Sequence, residues 1–163
     1  MTKRAATRIL IAVLTLATAA AVAQTDAQKA FTTIKSLPGT WEGDTSMGPV
    51  KVTFKTTAGG SAVISEILGK EDMITMFNLD GSRLVMTHYC AAGNEPRMQA
   101  SVSPDGKVIT FSFVDAMNLA TPEAAHMHKM VLTLVDDTHH TEEWTFTDHG
   151  KEHKELFDLH RRS

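Results

Sequence analysis

The sequence predicts an all-β fold, an antiparallel up-and-down β-barrel of about ten strands behind a short N-terminal helix. Three observations predict it. Apolar and polar residues alternate in run after run beyond residue 37. Val50, Val52 and Phe54 alternate with Lys51, Thr53 and Lys55, and Ile109, Phe111 and Phe113 with Thr110, Ser112 and Val114. A period of two sends one set of side chains to each face of a strand. The runs recur about every ten residues, as in sandwiches and barrels. Hairpin formers, Asp80-Gly81 and Pro104-Asp105-Gly106, stand between them.

The elements follow in order. Lys3, Arg4 and Arg8 precede the apolar run Ile9–Leu16, and Ala21-Val22-Ala23 before Gln24 fits a small-residue cleavage site. Residues 1–23 therefore read as a secretory signal peptide, too short and Ala-rich for a bilayer span of about 20 apolar residues. A periplasmic or secreted protein is expected. Gln24–Ala27 reads as a disordered lead. Phe31, Ile34 and Leu37 recur at helical spacing, so Lys29–Ser36 is expected to be helical, ended by Pro38-Gly39. Strands are expected over 40–45, 50–57, 62–68, 73–79, 83–90, 97–102, 107–115, 127–135, 141–147 and 151–160. Ala116–Ala125 is the longest irregular piece, and Pro122 argues against strand there. No repeat or linker divides residues 24–163, which read as one domain.

Totals bound the function. Cleavage after Ala23 takes three of 16 basic residues and none of 19 acidic ones, leaving 140 residues and net charge −6. A modestly acidic domain is poorly suited to nucleic-acid backbones, which reward clustered Lys and Arg. Cys90 is the single cysteine, so no internal disulfide forms.

The segment Leu37-Pro38-Gly39-Thr40-Trp41-Glu42-Gly43, after a short helix and opening the first strand, resembles the start of the lipocalin (calycin) superfamily. In that superfamily the G-x-W tryptophan closes one barrel end. A count near ten strands is closer to the fatty-acid-binding and nitrobindin-like branches than to eight-stranded lipocalins. Thr87–Met98 is also similar to a segment of exported bacterial proteins of this type, which implies fold and localisation. Nitrobindin-like proteins hold haem in the barrel, and their opening motif continues with further glycines and a Tyr-Pro. Here Gly43 is followed by Asp44-Thr45-Ser46-Met47.

Four constellations bear on chemistry. Met86, His88 and Cys90 share a face if the strand is regular, and so do His126, His128 and Met130. His, Cys and Met are ligand types for copper or zinc, so His88, Cys90, His126 and His128 form a candidate metal or haem set. Interior His can equally be hydrogen-bonded core. Met73, Met76, Met86, Met98, Met117, Met127 and Met130 suit either an adaptable cavity lining or ordinary core. Arg97 beside Tyr89 would bind a carboxylate if it pointed inward, as an interior Arg and Tyr do in fatty-acid carriers of this superfamily. The competing expectation is an exposed Arg at a strand start. Glu142 and Glu143 are adjacent and so face opposite sides. No nucleophile elbow, zinc-protease motif, phosphate loop or C-x-x-C occurs.

The leading expectation is an exported protein that binds a small, mainly apolar molecule in the barrel lumen. Met86, Phe111, Met130 and Trp144 would supply apolar wall. His88, Tyr89, Cys90, Arg97, His126 and His128 would supply the polar contacts. Metal or haem binding, and an enzyme acting on a lumen-bound substrate, are the alternatives. A wall of more than eight strands is hard to fill with side chains alone, which favours a cavity.

Overall fold

A computed structural model describes residues 24–69 and 71–162. The expected signal peptide lies outside the described residues. Helix α1 spans Asp26–Ile34, three residues earlier than its apolar spacing indicates. The reason is a capping box. The Gln28 N–H donates to the Thr25 hydroxyl and the Thr25 N–H donates to the Gln28 side-chain oxygen. Residues 24–27, read from the sequence as a disordered lead, thus carry the cap and first turn. The helix buries Ala30, Phe31 and Ile34.

Ten strands follow: β1 Gly39–Thr45, β2 Gly48–Thr57, β3 Ala62–Leu68, β4 Met73–Asp80, β5 Arg83–Tyr89, β6 Glu95–Val102, β7 Val108–Met117, β8 His126–Asp136, β9 His139–Asp148 and β10 Lys151–Arg161. Each pairs antiparallel with its chain neighbours, and β1 pairs with β10 to close the barrel. This is the all-β, ten-strand, up-and-down architecture that the alternation predicts. Gly81 and Gly106 take φ of 59° and 73° in two hairpin turns, a conformation open to Gly without steric cost.

Alternation also fixes the interior. Val52 and Phe54, Leu84 and Met86, Ile109 and Phe111, Met130 and Leu132, and Phe157 and Leu159 are buried at two-residue spacing. Their large side chains, with Trp41 and Phe77, pack the middle of the barrel. Helix α1 packs on β4, β5 and β6, at the end where the even strands turn into the odd ones. Trp41 closes that end. Its indole N–H donates to the Leu37 carbonyl at 2.8 Å, and the Arg161 guanidinium lies 4.3 Å over its ring. Arg161 also donates to the carbonyls of Ser36, Pro38 and Asp137. Gly43, on the inward face of β1, is held to glycine by space. A Cβ there would lie 1.8 Å from the Asp158 carbonyl oxygen of β10.

Candidate functional site

Among the apolar side chains of the interior runs a string of buried polar groups. On β9 the inward positions read His140, Glu142, Trp144, and their exposures are 0%, 1% and 3%. The Trp144 indole N–H donates to Glu142 Oε2 at 2.9 Å, and His140 Nε2 lies 3.3 Å from Glu142 Oε1. A buried carboxyl is tolerated where such donors replace water. His140 packs edge-on to Trp41, with 4.2 Å between ring centroids. Across the barrel, Ser65, Thr75 and His88 are neighbours in the registers of β3, β4 and β5. His88 Nδ1 and Thr75 Oγ1 are 2.9 Å apart, and the Trp144 indole packs on the His88 ring at 4.8 Å between centroids. Two nitrogens of this string, His88 Nε2 and His140 Nδ1, have no hydrogen-bond partner. Burial holds His88 neutral, with its pKa lowered from 6.5 to about 4.

The barrel end opposite α1 opens into a cleft of about 290 Å3. It is lined by Thr45, Met47, Pro49, Val50, Ile67, Gly69, Glu71, Met73 and Phe157. Met47 stands 82% exposed at its rim, whereas Val50, Ile67 and Phe157 belong to the buried core. Ile67 and Met73 form one register pair, and the next inward pair is Ser65 with Thr75, which continues to His88. The polar layer therefore lies one step beneath the floor of an apolar cleft. At the α1 end a second cleft, of about 630 Å3, is edged by Leu37, Trp41, Leu134, Asp136, Asp137 and Arg161.

The residues singled out from the sequence fall into three groups. Met86, His88, Phe111, Met130 and Trp144 are brought together in the buried interior. His126 and His128 meet each other, Nε2 to Nδ1 at 3.3 Å, against the Phe113 ring. Cys90, Tyr89 and Arg97 leave the interior. The strand stops at Tyr89, which is 46% exposed. Cys90 enters a turn in which its N–H donates to the Asn94 carbonyl. Burial, the largest influence, pushes its thiol pKa up. Arg97 is exposed and donates to the Asp115 carboxylate on the outer wall. An inward Arg97–Tyr89 carboxylate clamp is therefore corrected to a surface ion pair.

The four-residue set His88, Cys90, His126 and His128 does not converge. Among the described residues, the one His/Cys/Asp/Glu group of three or more close enough for a shared ion is His139, Asp158 and His160. The His88 ring is buried, with Trp144 packed on it. The expected strand 141–147 leaves His140 outside it, and Glu142 reads only as facing away from Glu143, whereas the strand begins at His139. The signal present was the two-residue step His140, Glu142, Trp144. Glu143, facing outward, pairs with Lys154 at 2.9 Å.

The crystal structure of Rv2717c from M. tuberculosis is similar to this chain, with a TM-score of 0.55 and 16% identity, over 82% of this chain and 98% of that one. At that identity the likeness speaks to the fold alone. No protein-family model and no curated protein matches the chain. Fold and site thus define a ten-stranded antiparallel barrel, compatible with ligand binding, with an apolar mouth above a buried polar layer.

Proposed function

We propose that this is an exported, calycin-like binding protein that takes a small, mainly apolar molecule through the mouth opposite α1. The carrying observation is the apolar cleft of about 290 Å3 floored by core residues Val50, Ile67 and Phe157. Pockets for small molecules are concave and chiefly apolar, with a few polar groups that fix orientation. The cleft has the first property, and the Ser65–Thr75–His88 layer beneath it offers the second. An unpartnered buried nitrogen such as His88 Nε2 costs about 1–3 kcal/mol, a cost that a hydrogen-bonding guest would relieve. Met73 at the cleft and Met86, Met98 and Met130 in the interior are unbranched side chains that repack around a guest with little strain. The buried Trp41 at the other end, with its N–H on the Leu37 carbonyl, supports the calycin reading.

Native mass spectrometry of protein purified from its host tests the reading, with a fluorescent naphthalene-sulfonate probe as second readout. The expected result is a co-purifying small mass, or saturable one-to-one probe binding that Ile67→Trp abolishes by filling the cleft. A protein that carries no extra mass and binds no probe, or binds it equally after Ile67→Trp, overturns the reading.

A further inference from the structure

The outer wall carries a constellation independent of the interior. His139 opens β9, and His160, near the end of β10, is its direct register partner. Asp158 lies two residues before His160, on the same outer face. Asp158 Oδ1 is 2.6 Å from His139 Nε2 and 3.7 Å from His160 Nε2. The two imidazoles stack with centroids 4.2 Å apart and planes 23° from parallel. One ligand atom from each of the three residues falls within 4.8 Å of the others.

We propose that His139, Asp158 and His160 form a surface site for a divalent late first-row metal ion, zinc or copper(II). The donor chemistry fits, because two imidazoles and one carboxylate are the borderline ligands these ions prefer. The geometry fits as well. Ligand atoms about 2.0–2.2 Å from a tetrahedral ion are separated by roughly 3–4 Å. The observed separations are 2.6 Å, just short of that range, and 3.7 Å, within it, so a small opening of the side-chain torsions admits the ion. The backbone is preset, since the ligands sit on directly paired strands of a closed barrel. The surroundings are acidic. On β1, Glu42 and Asp44 pair in register with His160 and Asp158, and Asp136 of β8 pairs with His139. Cations near it in the register are Arg162, which donates to Glu42 at 2.8 Å, and Lys51 beyond Glu42 on β2, while Lys154 further along β10 is paired with Glu143. Three protein ligands leave a coordination position open to solvent or an incoming donor.

Zinc chloride titrated calorimetrically into the purified protein is the test, with thermal unfolding alongside. The expected result is one ion per chain and a zinc-dependent rise in Tm. His139→Ala, His160→Ala and Asp158→Asn are each expected to weaken binding at least about tenfold. Asp158→Asn keeps the side chain's shape and covers the case of an alanine variant that fails to fold. The paired His126→Ala/His128→Ala change is expected to leave binding intact. Absence of zinc binding by the unsubstituted protein overturns the site. So does binding that survives all three substitutions, or a loss that follows His126 and His128 instead.

Discussion

His88 stores a pH dependence. Burial keeps its native pKa near 4, against 6.5 in the ordinary imidazole. Between those values the unfolded chain takes a proton that the native protein refuses. Stability therefore rises with pH across this window and is lost as pH falls through it, by about 3 kcal/mol for a shift of this size. Urea unfolding at a series of pH values should show that slope, and His88→Gln should remove most of the difference between pH 4 and pH 7. Glu142 is the other costly residue. Glu142→Ala strips the acceptor from the Trp144 indole and the partner from His140. It should cost about 3–5 kcal/mol in the same assay, and Glu142→Gln less, since one acceptor survives. His88 was legible in the sequence because it keeps step with Met86 along an alternating run. Cys90 keeps the same step on paper, but the strand ends one residue too soon. No local pattern announces that end, which is set by the turn bond from Cys90 to Asn94.

Within the elements, two contacts hold the closed end together. Arg161 caps the Trp41 ring and satisfies three carbonyls that no helix or ladder serves. Arg161→Met keeps an apolar stem on the ring and loses the donors. Amide exchange should then quicken across α1 and residues 39–41 while β4 and β5 keep their protection. Gly43→Ala drives a Cβ into the Asp158 carbonyl, and rigid backbone on both sides leaves no cheap escape. That variant should lose several kcal/mol or fail to fold, read as a collapse of its urea midpoint. Strand positions were legible to within about two residues, because each is written in its own alternation. The helix start was written too, in Thr25 and Gln28, but apolar spacing alone misses a cap. The bulges at Arg97/Met98, Met127/Lys129 and Leu134/Asp136 were not legible. A bulge inserts one residue without changing composition, and it re-aims every side chain beyond it. His126 and His128 sit on one such break, so the sequence could not assign their face.

For the molecule as a whole, the sequence gives the barrel through the number and spacing of its runs, whereas the convergence of side chains from distant strands depends on shear and bulges that no short motif encodes. The pairing of β1 with β10 carries its own consequence. Until residues 151–161 arrive, β1 and β9 each present an unsatisfied sheet edge, the surface by which chains add to one another. The contact that removes both edges also spans more than a hundred residues, and such distant pairing forms slowly. A chain still being synthesised is thus at its most adhesive just before β10 emerges. Truncation after Gly150 should trap that condition and yield aggregate rather than monomer in size-exclusion chromatography, while the chain that carries β10, its ring shut, stays dispersed.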